Sequence, residues 1–214
     1  MKYQSYLFDF DGTLVDSMPS YIAAMLRILD ENNVAYESDI IKIITPLGYV
    51  GTANYYVEKL GVKLPAEKIV EQMKHYAYDE YAYRIQAKPN VVETLKKLKE
   101  MGADLHILTA SPHTVLDVCL NRLEIFDLFT NVWSCDDFST SKADPAIYQM
   151  AAQRIGKRVD EVLFVDDNYN ADKTAVAAGM RVCGIYDDSS REYVEEIRSV
   201  AHHYVYDFGE LLTL

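Results

Sequence analysis

From Lys88 onward this 214-residue chain alternates apolar β-type runs with helical segments, and that alternation leaves few folds open. Val91 to Met101 reads as an amphipathic helix closed by Gly102, and Asp104 to Leu108 as a strand ending at Thr109. Ser111-Pro112 offers an N-cap and a first-turn proline for a helix through Leu120. A short strand is expected around Val132-Trp133, and Asp144-Pro145 repeats the cap-plus-proline signal for a helix through Arg154. Val162-Leu163-Phe164-Val165 is apolar without interruption, as a central parallel strand should be. A helix from Ala171 to Ala178 stopped by Gly179, a strand over Arg181 to Ile185, and a last strand at His203-Tyr204-Val205-Tyr206 before a short helix containing Leu211 complete the series. Repeated strand–helix units predict an α/β fold with a doubly wound parallel sheet and right-handed crossovers.

The segment before Lys88 differs. Residues 5–8 read as a buried strand, and residues 17 to about 85 as helical throughout, with Pro19 near a helix start and Tyr21-Ile22, Met25-Leu26 and Ile28-Leu29 at helical spacing. Pro46, Gly48 and Gly51 mark a loop, and Gly61 with Pro65 another. The division expected is a Rossmann-like core of residues 1–16 and 86–214, interrupted by an inserted helical domain of residues 17–85. Nine of the seventeen tyrosines fall in the insertion. Amphipathic packing with hydroxyls at the rim accounts for them; an aromatic lining for a ligand is the alternative.

Asp9 and Asp11 stand at the carboxyl end of the first strand, with Gly12-Thr13 directly after. Strand positions i and i+2 share a side, so both carboxylates could face one cleft, at the sheet end where ligands bind. Such a pair costs desolvation unless a cation or proton compensates it. A second acidic pair, Asp166-Asp167, follows the most apolar strand. Hard carboxylate oxygens with no His or Cys nearby suit Mg²⁺.

The run Asp9-Phe10-Asp11-Gly12-Thr13-Leu14-Val15-Asp16-Ser17 resembles the first motif of the haloacid dehalogenase superfamily of phosphotransferases. Three later segments resemble its other motifs in order: Ile107-Leu108-Thr109-Ala110-Ser111, then Ser141-Lys142-Ala143-Asp144-Pro145-Ala146-Ile147-Tyr148, then Phe164-Val165-Asp166-Asp167-Asn168. Ala143 stands where that family usually has proline. The resemblance implies that Asp9 is a nucleophile forming an aspartyl-phosphate and that Asp11 is the general acid/base. Lys142 would neutralise nucleophile and phosphate, and Thr109 with the Ala110 N–H would bind phosphate oxygens. Asp9, the Asp11 carbonyl and Asp167 would ligate Mg²⁺, with Asp166 direct or through water. Asp172 is expected to serve the first turn of its helix, and His113 to be a solvated first-turn residue.

The insertion resembles, in position and length, the helical cap of the phosphoglycolate phosphatase-like and β-phosphoglucomutase-like subgroup. Gly48, Tyr49 and Gly51 are then candidates for substrate selectivity. No Arg or Lys occurs between Lys42 and Lys59, which favours a hydrolase over a phosphomutase needing a grip on a second phosphate. A non-catalytic binding protein on this fold is the third reading, disfavoured by the full set of motif residues. The substrate class implied is a small phosphorylated metabolite.

A formal charge of −12 with no basic stripe argues against nucleic acid or an anionic membrane as partner. Apolar runs fall far short of a membrane span. Cys119, Cys135 and Cys183 are odd in number and widely spaced, reading as buried thiols of a cytoplasmic protein. Oligomeric state is not legible.

Overall fold

The computed structural model describes residues 2–37, 39–44 and 47–214, the Lys42 side chain excepted. The chain divides into two compact units, Met1–Asp16 with Gln86–Leu214, and Ser17–Ile85.

The first unit is built on a six-stranded sheet in the order β3-β2-β1-β4-β5-β6, every neighbouring pair parallel. Its strands are β1 (Ser5–Phe8), β2 (Asp104–Thr109), β3 (Asn131–Ser134), β4 (Val162–Asp166), β5 (Arg181–Ile185) and β6 (His203–Val205). Order reverses where β1 lies between β2 and β4, the switch point at which such sheets open a crevice. All residues of β1 and β4 are buried, which explains their unbroken apolar character. One sheet face, with Leu7, Leu108, Phe164 and Val182, packs on Ile147, Tyr148, Ala151 and Ala175 from the covering helices.

In the second unit the helices are α1 (Met18–Glu31), α2 (Ile40–Ile44), α3 (Gly48–Lys59) and α4 (Ala66–Tyr83). Those of the first are α5 (Val91–Glu100), α6 (His113–Arg122), α7 (Pro145–Ile155), α8 (Tyr169–Ala177) and α9 (Val194–Val200). α7 is capped as expected, the Asp144 carboxylate accepting the Ala146 N–H. α8 starts two residues before its expected Ala171, because Asn168 accepts the Asn170 and Ala171 N–H groups. α9 carries only weak periodicity over a single pair of turns and has no counterpart in the sequence reading.

The second unit has its own core, in which Met25, Ile28, Leu29, Tyr56, Ile69 and Met73 are fully buried. Each such side chain contributes about 1.5–3 kcal/mol relative to exposure. Several of its tyrosines pack against their neighbours, while Tyr78 and Tyr83 are exposed. Tyr56 donates to the Met25 carbonyl (3.2 Å), Tyr76 to Glu31 and Tyr36 to Asp30, and Tyr21 tilts against Tyr49 at 5.3 Å. The expected loop around Gly48 and Gly51 is corrected by the structure. Both glycines lie in the first turn of α3, drawn into it by the apolar face Thr52, Ala53 and Tyr56. Thr45 and Pro46 of that expected loop lie outside the described residues. Among the described residues no helix is long and apolar enough to cross a membrane.

Candidate active site

β1 ends at Phe8, but one more ladder bond, from the Asp9 N–H to the Val165 carbonyl (2.9 Å), sets Asp9 beside the end of β4. The chain then turns. Leu14 and Val15 both donate to the Phe10 carbonyl, and Gly12 donates to Val15. The strand argument for Asp9 and Asp11 sharing a side therefore does not carry Asp11, which a turn presents instead. Gly12 adopts φ +77°, and a Cβ there would stand 2.6 Å from Asp167 Oδ2, so glycine is required on both grounds. Thr13 donates its hydroxyl to Asp167 Oδ1 (3.0 Å).

Lys142 enters from the segment before α7. Its Nζ lies 2.7 Å from Asp9 Oδ1 and 2.8 Å from Asp166 Oδ2, and Tyr148 fastens its backbone by donating to the Lys142 carbonyl (3.0 Å). Asp166 also accepts the Asn168 N–H at 2.7 Å. Asp9, Asp166 and Asp167 are all buried and offer oxygens within 4.8 Å of one another, so they could hold a metal ion. Three carboxylates around one ammonium leave net negative charge in a buried place. Burial raises the Asp9 carboxyl to about 7, Lys142 opposing and Asp166 and Asp11 reinforcing that rise. Burial and the neighbouring Asp166 and Asp9 push Asp167 well above the usual carboxylate range. For Lys142, burial works against the charge, but Asp166 and Asp9 hold its ammonium well above the ordinary lysine value. This donor set fits a hard divalent cation, which would replace the protons that mutual repulsion otherwise demands.

Thr109 closes β2, buried, its Oγ1 accepting the Ser111 N–H (3.1 Å); Ala110 beside it is exposed. Ser111 does not cap α6. Pro112 occupies the cap position without a side-chain bond, and the Ser111 hydroxyl instead donates to Asp11 Oδ2 at 2.5 Å. The Asp11 carboxylate thus lies outside the Asp9–Asp166–Asp167 group and is held by a neutral donor. His113 lies in the first turn of α6, 2.9 Å from both Asp117 and Asp137, which raise its pKa.

One further group has no counterpart in the sequence analysis. Lys88 donates to the Gly12 carbonyl (2.6 Å), the Tyr186 carbonyl (2.8 Å) and Asp187 Oδ2 (2.9 Å), bracing the acidic turn from below. Its signal was present as a lysine immediately before Pro89, where Lys88 also donates its N–H to Leu14. Asp172 does lie in the first turn of α8, but its side chain is fully buried against β5, and neither oxygen has a hydrogen-bond partner among the described residues. Burial, then Asp166 and Asp167, raise its carboxyl well above normal. Gly48, Tyr49 and Gly51 belong to the second unit.

Residues 6–185 match the family model of the haloacid dehalogenase-like hydrolases. The chain belongs to that family. It is 27% identical over 181 residues to pyrophosphatase PpaX of Bacillus velezensis, covering 84% of this chain and 81% of that protein. It is 28% identical over 216 residues to phosphoglycolate phosphatase of Pectobacterium atrosepticum, covering 97% and 83%. In fold it is similar to CbbY of Rhodobacter sphaeroides, solved in complex with xylulose-1,5-bisphosphate. There the TM-score is 0.80 at 18% identity, with 98% and 96% of the two chains covered.

Proposed function

We propose that this haloacid dehalogenase-like hydrolase is a Mg²⁺-dependent phosphatase of a small phosphomonoester, acting through an aspartyl-phosphate on Asp9. The observation that carries the reading is the Lys142 ammonium bridging Asp9 and Asp166 at 2.7 and 2.8 Å inside a buried carboxylate group. That ammonium draws Asp9 toward its anionic form against the effect of burial, and attracts a phosphoryl group in an otherwise acidic protein. Relatives named as phosphatases support the same class.

Asp9 Oδ attacks phosphorus, and the P–O bond to the leaving group breaks as Asp11 donates its proton to the departing oxygen. Asp11 then takes a proton from water as that water attacks phosphorus, releasing phosphate and restoring Asp9. Acid–base help of this kind contributes roughly 10²–10⁴-fold. Ser111 orients the Asp11 carboxyl through its hydroxyl. Thr109, the Ala110 N–H and Lys142 bind the transferring oxygens. Asp9, Asp167, the Asp11 carbonyl and Asp166 would hold Mg²⁺, which when bound supplies charge neutralisation for the phosphoryl oxygens. Residues 17–85 act as the cap that selects the leaving group, with Gly48, Tyr49 and Gly51 at the start of α3 as its selectivity candidates. A cytoplasmic setting accords with three buried free thiols.

Phosphate release from a panel of sugar, nucleotide and small-acid phosphates tests this reading, run with Mg²⁺ and then with EDTA. Release that needs Mg²⁺ and vanishes in Asp9→Asn is the expected result. Persistent turnover in rigorously pure Asp9→Asn protein overturns the nucleophile assignment. Isomerisation of a sugar phosphate without net release identifies a phosphomutase instead.

A further inference from the structure

We propose that the amino-terminal end of the sheet carries a second anion site, built for a multiply charged phosphate. The strands β1, β5 and β6 begin at Ser5, Arg181 and His203, and all three residues line a cleft of about 550 Å³. That volume is typical of small-molecule sites, which run to roughly 300–1,000 Å³. Asp9 lies four residues up β1 from Ser5, so the cleft and the candidate active site are about 13 Å apart along the strand.

The lining inverts the charge of the molecule. Lys2, Lys157 and Arg181 converge there in a chain of net charge −12, and none of the three makes an ion pair among the described residues. The carboxylates at the rim are already engaged. Arg158 grips both oxygens of Asp160 at 3.0 and 3.2 Å, and its backbone N–H donates to Glu161 at 2.9 Å. The cations are therefore left to face the opening.

Two imidazoles report the resulting field. Burial, then Arg181 and Lys2, push the His202 pKa down; burial, Lys2, His202 and Arg181 do so for His203. The Val182 N–H donates to His202 Nδ1 (3.2 Å), which leaves the proton of the neutral ring on Nε2 as a donor. Tyr3 holds His203 by its hydroxyl at 2.8 Å. Helix carboxyl ends gather at this end of such a sheet and repel anions weakly, so side-chain cations have to supply the attraction. Three of them, with two imidazoles, suit a di- or triphosphate better than a single phosphate.

The test uses inorganic tripolyphosphate titrated into the full-length protein in EDTA, followed by calorimetry and by the histidine NMR resonances. Saturable binding is expected, with the His202 and His203 pKa values rising as the anion offsets Arg181 and Lys2. The double variant Lys157→Gln/Arg181→Gln should weaken binding about tenfold or more, with thermal stability and phosphatase activity unchanged. Lys142→Met should leave this binding intact. Either of two results overturns the proposal: no perturbation of His202 and His203 at millimolar tripolyphosphate, or binding that survives the double variant and disappears in Lys142→Met.

Discussion

Lys88→Met is the most informative single perturbation of the first unit. The substitution keeps the alkyl stem and deletes the ammonium, which is 15% exposed and donates to three acceptors. It leaves the Gly12 and Tyr186 carbonyls short of a donor and Asp187, 8% exposed, without its counter-charge. Breaking a buried pair in this way costs about 3–5 kcal/mol. Asp187 still accepts the Ser189 N–H and hydroxyl at 2.9 and 2.6 Å, which puts the expected loss near the lower limit, about 3 kcal/mol. For a chain of this length that corresponds to a fall in Tm of roughly 6–12 °C. Because Gly12 follows Asp11 and abuts Asp167, a displaced turn should also lower kcat by roughly ten- to a hundredfold, with KM little changed. Burial raises the Asp187 pKa, but Ser189 and Lys88 more than offset that, and its net value is lowered. A depressed carboxyl stabilises above its unfolded pKa, so the contribution is present at neutral pH and lost as pH falls below the ordinary carboxylate range. Thermal unfolding of Lys88→Met, Asp187→Asn and the double variant measures the coupling. Additive effects, or a Tm within about 2 °C of the parent, would refute the brace.

Metal-free protein should lose stability as pH rises from about 4 to 7, because native Asp9 and Asp167 bind protons that the unfolded chain has released. Mg²⁺ at a hundred times its dissociation constant should restore about 2.7 kcal/mol, increasingly so at higher pH, and EDTA should reverse it; a pH-independent melting curve without metal would count against the cluster. Gly12→Ala should abolish Mg²⁺-induced stabilisation along with activity, since its Cβ and Asp167 cannot share the space; an unchanged Mg²⁺ titration would show the turn to be pliable. Asp172→Asn should raise Tm at pH 8 by several degrees while leaving Tm at pH 4 little altered, because only at high pH does the wild-type carboxyl hold a costly proton. Equal shifts at both pH values would mean that packing, not ionisation, is what changed.

The central strands were legible because their burial demands apolar residues, whereas β3 and β6 at the sheet's edges are only partly buried. β4 and β5 are apolar enough to be placed almost to the residue, and a parallel sheet then follows from alternation with helices. Asp9, Asp166 and Asp167 stand out as carboxylates at the ends of apolar strands, and Lys142 only through its resemblance to a family motif; the structure brings these four side chains together. What the reading missed depends on contacts distant along the chain. Ser111-Pro112 has the local form of a helix start, yet a carboxylate 100 residues away claims the hydroxyl. The glycines of α3 look like a loop until the packing of Thr52, Ala53 and Tyr56 outweighs their low helix propensity.

Lys88 and Asp172 mark the two limits of such reading. Both are ionisable residues in segments whose local pattern makes exposure the default, yet the Lys88 side chain is only 15% exposed and Asp172 is fully buried. Lys88 is buried because the return from the second unit pairs with the turn after β1, through the Val15–Ala87 bridge and the Lys88 N–H to Leu14. That path carries its side chain to acceptors on two loops, so three protein oxygens receive its ammonium. Asp172 finds no such partner. Its helix is set by the Asn168 cap, and the face that must meet β5 includes position 172 whatever residue stands there. The carboxyl fits because Gly184 opposite has no Cβ, and its neutral form is favoured because burial, with no hydrogen-bond partner among the described residues, penalises the charge. One residue is therefore ordered by its ionic partner and the other by the space a glycine leaves, and neither cause can be read from the ten residues around it.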